Sequence, residues 1–139
     1  MNALQEDYGS DNFSVLAVPS NQFGMQEPGK RGEILRGIKY VRPGNNFEPA
    51  FPVLQKVEVN GEHAHPLFTF LRSRCPSPNP AFHKKDALFY SPQNSDDIRW
   101  NFEKFLIDQR GIPVKRYEPS FEPDDIAEDI EHLIVTGGH

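Results

Sequence analysis

Cysteine is nearly absent from this sequence, since Cys75 is the single one among 139 residues. One thiol cannot form a disulfide within the chain, and it excludes a zinc or iron–sulfur site built from several cysteines. Long apolar runs are missing too, because no stretch approaches the ~20 residues that cross a bilayer. The opening MNALQEDYG has neither the basic end nor the apolar stretch of a targeting signal.

An excess of positive charge is also lacking. The 15 Lys and Arg residues stand against 20 Asp and Glu residues, which gives a net charge of −5. Such a chain has no diffuse attraction to phosphate backbones or anionic lipid headgroups. Nucleic acid and membrane surfaces are therefore not expected as partners.

Apolar side chains are plentiful enough to build a core. Hydrophobic residues make up 37% of the chain, and 13 Pro with 10 Gly indicate long ordered loops. We therefore expect one globular domain over residues 1–139. The hydrophobic pattern predicts elements in the order α, β, α, β, α, β-hairpin, α, over residues 2–8, 13–19, 30–41, 54–59, 65–72, 99–107 with 112–117, and 123–135.

This order is that of an α/β protein with a mixed sheet flanked by helices. The continuous apolar run at residues 13–19 predicts a central strand covered on both faces. No strand precedes the first helix, so the pattern predicts a thioredoxin-like fold that lacks its first core strand. The loop at residues 75–97 is long enough to be functional or to lie in an interface.

Three segments resemble the glutathione peroxidase family: VLAVPSNQFGMQEPG at residues 15–29, KYVRPG at 39–44 and DIRWNFEKFL at 97–106. The resemblance implies a thioredoxin-like fold and the reduction of hydroperoxides to water or alcohols by glutathione, in the response to oxidative stress. It implies no cofactor and no metal.

The family's nucleophile, a selenocysteine or cysteine, stands at a position that would lie upstream of Met1. We therefore expect an N-terminally truncated chain, whose parent encodes selenocysteine by a codon usually read as stop. The other members of the catalytic tetrad correspond to Gln26, Trp100 and Asn101. Their neutral N–H groups suit the stabilisation of a developing oxyanion.

Substrate-binding residues are implied in the same way. By motif position, Arg42 and Lys30 would face the carboxylates of glutathione. Tetrameric members usually carry two arginines where this chain has Pro119 and Ser120, which leaves only Lys115 and Arg116 nearby.

The long loops predict the subgroup. Residues 40–49 and 75–97 resemble the subunit-contact insertions of tetrameric members, and RCP at 74–76 with DALF at 86–89 resembles the plasma or epididymal branch. This resemblance predicts a secreted homotetramer, with a cytoplasmic protein as the alternative.

Several residues admit other interpretations. A non-catalytic thioredoxin-like subunit or binding module is the alternative function, because the nucleophile is missing from the chain. Cys75 stands near Arg72 and Arg74 and could be reactive, although a spectator thiol is favoured. His63 and His65 could ligate a metal, although turn histidines are favoured.

Overall fold

The computed structural model describes residues 1–137, with Arg31 described by its backbone alone. Its elements are α1 (Asn2–Tyr8), α2 (Arg31–Tyr40), α3 (Pro66–Arg74), β1 (Lys104–Ile107), β2 (Pro113–Tyr117) and α4 (Ala127–Thr136), with 3₁₀ turns over Lys85–Ala87 and Pro123–Ile126. The first three helices begin and end within two residues of the predicted ones. No helix in this described part is long and apolar enough to cross a membrane.

The hairpin contributes side chains to one of the two apolar clusters of the core. β1 and β2 pair antiparallel, with Lys104 opposite Tyr117 and a bulge between Leu106 and Ile107. The apolar spacing of the last predicted helix predicts burial of Ile126, Ile130 and Leu133. Ile126 and Ile130 are buried, whereas Leu133 is partly buried. Side chains from α1, the hairpin and the C-terminal helical segment form one apolar cluster, which consists of Leu4, Leu106, Tyr117, Ile126 and Ile130.

The first hairpin strand is shorter than predicted. Residues 99–103 form a turn, in which the backbone N–H of Arg99 donates to the Glu103 carboxylate at 2.6 Å. Phe102 takes a positive φ of 70° and leaves its side chain 81% exposed. A bulky residue at positive φ is rare and interrupts a strand. The prediction of a strand beginning at Arg99 was therefore wrong.

The predicted strands at residues 13–19 and 54–59 are also not formed as strands. The two extended segments meet at one parallel bridge, where Ala17 donates to Pro52 O at 3.0 Å and Leu54 donates to Ala17 O at 2.7 Å. Pro19 has no N–H to donate in this ladder, and its carbonyl oxygen accepts from the N–H of Val57 at 3.0 Å. Leu16 is 59% exposed, so the segment is not covered on both faces as predicted.

A second apolar cluster lies beside these segments. Leu88 comes from the long loop at residues 75–97 and bridges to Phe23. This cluster joins the chain around Gln26 to the chain around Trp100. Its buried members are Phe23, Val59, Leu88 and Ile98, with Trp100 and Phe105 packed against them.

Candidate active site

Two of the three predicted tetrad residues are joined directly. The Asn101 side-chain amide donates to the Gln26 carbonyl oxygen, Oε1, at 3.0 Å, across 75 positions of sequence. Gln26 is exposed and Asn101 is half-buried. Because Asn101 occupies the carbonyl oxygen of Gln26, the NH₂ group of Gln26 is the part of this amide that can donate to another group.

The third predicted residue lies beside this pair. Gly24 has a φ of 63°, and a Cβ placed on it would lie 3.3 Å from Cη2 of Trp100 and 3.4 Å from Cγ of Gln26. Glycine at this position therefore combines a left-handed backbone with close approach of the indole. The structure brings Gln26, Trp100 and Asn101 together at one surface.

Buried side-chain amides connect the two segments that form this surface. The Gln22 side chain donates to Asn60 O at 2.9 Å and accepts from the N–H groups of Val59 and Asn60 at 2.9 and 3.0 Å. Asn60, which is fully buried, exchanges two hydrogen bonds of 2.8 Å with the backbone of Ile98. Gln22 and Ile98 precede the site residues in their respective segments, so this chain of amides sets the distance between the two segments.

The turn at Asn60 depends on the next residue. Gly61 has a φ of 83°, and a Cβ there would meet Ser91 O at 2.9 Å. A side chain at this position would therefore push residues 61 and 91 apart, which would disturb the buried amides of the adjoining Asn60.

Buried ion pairs support the segment before Trp100. Arg72 contacts Asp97 at 2.6 Å, and Arg116 contacts Glu103 at 2.7 Å. All four side chains are at most 7% exposed. Charges buried to this degree are tolerated because each has a partner within hydrogen-bond distance.

Arg99 ties the same segment to the loop before it. Its guanidinium donates to the carbonyls of Asp97 and Ser95 at 2.5 and 2.8 Å. Burial, together with the nearby positive charge of Arg116, lowers the pKa of Arg99. The backbone that leads into Trp100 is therefore fixed from two sides.

Lys56 organises the loop after Gln26, and nothing in its sequence context singled it out. Its ammonium group donates to the carbonyl oxygens of Glu27, Pro28 and Gly29 at 3.1, 3.1 and 2.7 Å. Three carbonyls converging on one cation fix the shape of this loop. An isolated lysine inside a predicted strand carries no sequence signal for such a role.

His83 is a further residue that sequence reasoning missed. Its ring lies 4.1 Å from the Trp100 ring, centroid to centroid, with 31° between the planes. Both side chains line a cleft of about 330 Å³, together with Phe82, Arg99 and Ser120. The predicted functional importance of the loop at residues 75–97 was the only signal that could have pointed here.

The predicted glutathione-binding cations lie at the two ends of α2. Lys30 precedes the helix, where its N–H donates to the Glu33 carboxylate at 2.6 Å, and Arg42 follows it. Both side chains are exposed. At 1.5 Å per residue, a ten-residue helix separates its ends by about 15 Å, so the two cations do not form one cluster.

The two cations of the second hairpin strand, β2, are engaged elsewhere. Lys115 pairs with Asp129 at 2.7 Å, and Arg116 is committed to Glu103. Neither is positioned as a spare cation for a carboxylate ligand.

The alternative chemistry at Cys75 and the histidines is not favoured. Cys75 is 6% exposed, and burial raises the pKa of its thiol, only partly opposed by Arg116. A buried thiol with a raised pKa is a poor nucleophile. His65 instead accepts a hydrogen bond from Leu67 N at 3.2 Å and caps α3. Within residues 1–137, no three His, Cys, Asp or Glu side chains gather as a metal site.

Comparison with known proteins decides the family. The family model described as glutathione peroxidase matches residues 1–72. Glutathione peroxidase 1 of Rattus norvegicus is 51% identical over 138 residues, which cover 96% of this chain and 69% of the relative. This chain belongs to the glutathione peroxidase family.

The glutathione peroxidase relationship extends to solved structures. The crystal structure of T. cruzi GPX1 matches with a TM-score of 0.64 and 30% identity, covering 96% of this chain and 68% of that one. The crystal structure of Trgpx in apo form matches with a TM-score of 0.60 and 30% identity, covering 96% of this chain and 64% of that one. The thioredoxin-like fold class is therefore confirmed. The chain spans about two thirds of the length of these relatives.

Other relatives do not separate the branches of the glutathione peroxidase family. Glutathione peroxidase 6 of Mus musculus is 48% identical over 117 residues, covering 84% of this chain and 53% of the relative. That identity is close to the 51% found with glutathione peroxidase 1. The comparisons support glutathione-dependent reduction of hydroperoxides as the function, and they do not favour a non-catalytic module.

Proposed function

We propose that this chain provides the donor side of a glutathione peroxidase site, in which Gln26, Trp100 and Asn101 surround the reacting peroxide oxygen. The observation that carries the proposal is the Asn101–Gln26 hydrogen bond of 3.0 Å beside an indole that lies close to Gly24. Two distant motifs are thereby joined at one surface.

The role of the donors follows from the charge that develops. Attack of an ionised selenol or thiol on a hydroperoxide breaks the O–O bond and releases hydroxide or alkoxide. The Gln26 amide and the Trp100 indole N–H can donate to that oxygen without themselves ionising near neutral pH. Asn101 donates to Gln26 and therefore orients its amide. Two glutathione thiols then return the oxidised nucleophile to its starting state and release water and a disulfide.

The nucleophile itself is proposed to be a selenocysteine or cysteine encoded upstream of Met1. Cys75 does not serve, because it is buried with a raised thiol pKa. The 69% of the rat relative that aligns leaves further sequence in that protein. Lys30 and Arg42, exposed at the two ends of α2, are proposed to attract the carboxylates of glutathione.

The nucleophile proposal is tested with the 139-residue chain itself. Hydrogen peroxide with glutathione should give no turnover above a buffer control, because donors without a nucleophile have no step to stabilise. Turnover that disappears in Cys75→Ser would overturn this assignment and make Cys75 the reactive thiol.

The donor proposal is tested in the protein extended through its nucleophile. Trp100→Phe and Gln26→Ala should each lower the rate of the peroxide step by about ten- to a thousandfold, as expected when one preorganised donor is lost. The exposed Gln55→Ala is the matched control and should keep the parent rate. Parent rates in both donor variants, with unchanged folds, would remove the proposed roles.

We also propose that the protein is a secreted homotetramer of the plasma or epididymal branch. Support comes from apolar side chains exposed in and beside the loop at 40–49, with Tyr40 63%, Val41 79% and Phe47 39% exposed. Exposed apolar groups clustered in this way are typical of subunit contacts. Sedimentation of the extended protein measures the assembly, and its recovery from culture medium or cytosol measures the compartment.

A further inference from the structure

Two neighbouring residues of the long loop contact two neighbouring residues of the site. The His83 ring lies 4.1 Å from the Trp100 ring at 31°, and the Arg99 guanidinium lies 3.9 Å from the centre of the Phe82 ring. The loop is thus attached to the site segment by a pair of stacked contacts. Phe82 stacks on a residue that is itself anchored, since Arg99 is 4% exposed and bonded to two backbone carbonyls.

The contact with His83 adds to the constraints on the ring of Trp100. The buried amides fix the backbone at Ile98 but not the torsions of the indole two residues later. An indole N–H lies in the plane of its ring, so a tilt of the ring redirects the donor. Phe23 contacts the indole with centroids 5.7 Å apart and 54° between planes, and His83 makes the closer and flatter contact.

Histidine brings a property that an ordinary stacking residue lacks. Its ring is both flat and polar, so it can stack on the indole face while its ring nitrogens stay available for hydrogen bonds. The charged groups around His83 are mixed: Arg99 and Glu118 line the same cleft, and Lys84, Lys85 and Asp86 follow on the loop.

We propose that His83 is a positioning residue for Trp100, whose stacked imidazole sets the orientation of the indole N–H. The proposal rests on the proposed function, in which Trp100 is an oxyanion donor. It assigns to the loop at residues 75–97 a role inside the site in addition to any subunit contact.

Trp100 is the single tryptophan, so its fluorescence reports this contact without any turnover. In the 139-residue chain, His83→Ala should change the emission of Trp100, because the indole face that the imidazole covers becomes open to water. His83→Phe keeps a stacked ring and should keep emission close to that of the parent. The exposed His63→Gln is the matched control and should also keep it.

Access of acrylamide to Trp100 tests the stacking separately. His83→Ala should increase the acrylamide quenching constant relative to the parent chain, and His83→Phe should return it toward the parent value. His83 is exposed, and circular dichroism checks that each variant keeps its helices. An emission spectrum or a quenching constant that is unchanged in His83→Ala would overturn the proposal.

Kinetics of the extended protein complete the test. His83→Ala should lose part of the peroxide-step rate, less than Trp100→Phe loses, and His83→Phe should recover it. No loss in His83→Ala would contradict the positioning role even if the ring contact were present. Failure of the donor role gives a different result. Trp100→Phe would then keep the parent rate, while the fluorescence results for His83 would still be as expected.

Discussion

Two layers of the molecule are held together by different forces. The hairpin layer, formed by α1, β1, β2 and α4, combines a backbone ladder with one apolar cluster. The site layer, formed by residues 20–26, 57–61 and 94–101, has no strand and is joined by side chains such as Gln22 and Asn60 that each bond several backbone groups. In the hairpin layer many residues share the stabilisation, whereas in the site layer a few amides determine where the donors lie.

Arg116 connects the two layers by hydrogen bonds. Arg116 belongs to β2, yet its guanidinium donates to the carbonyls of Cys75, Asp96 and Asp97 at 3.2, 2.7 and 2.8 Å, as well as to Glu103. Loss of this residue should therefore affect both layers, and it gives the largest effect that we expect.

Arg116→Met should lower the free energy of unfolding by about 3–5 kcal/mol, because Glu103 would remain buried and unpaired. Denaturant unfolding measures the change. The double variant Arg116→Met with Glu103→Leu should regain much of the loss, since no buried charge is then left alone. A single variant as stable as the parent would show that the pair is solvated and does not join the layers.

Asn60→Ala tests whether the two layers are independent of each other. It should cost about 1–3 kcal/mol for the buried N–H and C=O of Ile98 that it leaves unsatisfied, and it should shift the fluorescence of folded Trp100. Ile130→Ala is the comparison variant in the hairpin layer. It should cost about 2–5 kcal/mol as a core truncation yet leave the emission of the folded chain unchanged. Equal spectral shifts in both variants would mean that the layers are not independent.

Asp108→Asn gives the smallest effect and concerns the hairpin turn alone. The N–H of Ile112, and then the side chain of Arg110, lower the pKa of the Asp108 carboxyl. A lowered folded pKa stabilises the fold above the ordinary value of about 3.9, and this contribution disappears as the pH falls through the lowered pKa. The parent should therefore exceed the variant in stability at neutral pH, and the difference should shrink in acid.

Thermal melts between neutral pH and about pH 3 measure that difference. Asp124→Asn, an exposed substitution in the first turn of the 3₁₀ segment Pro123–Ile126, is the matched control. A gap between parent and Asp108→Asn that stays constant over this range would contradict the turn's dependence on the carboxylate.

Sequence patterns predicted the helices because local spacing carries the information. The apolar spacing of Ile126 and Ile130 and the proline-glycine stop after α2 are properties of short windows. The strand at residues 13–19 was predicted wrongly. Its apolar run is compatible with a central strand, but the run does not show whether partner strands pair with it on both sides. In the structure Pro19 interrupts the ladder that begins at Ala17, and Leu16 remains exposed.

The motifs alone were enough to predict the family and to single out Gln26, Trp100 and Asn101 as one group. The residue types and the spacing of a motif are visible in the sequence itself, so the motif can be recognised without coordinates. The order of the helices followed from the same short windows, because helical periodicity repeats within a few residues.

Three contacts of the site came from the tertiary structure and from no pattern in the chain. Lys56 holds three carbonyls, Asn60 links Gln22 to Ile98, and His83 stacks on the indole of Trp100. Gln22 and Asn60 are 38 positions apart, as are Asn60 and Ile98, and Lys56 reaches back 27 positions to Gly29. Contacts between residues so far apart in sequence leave no periodic pattern in the chain. They depend on how loops close in space and not on the repeat of a helix or strand.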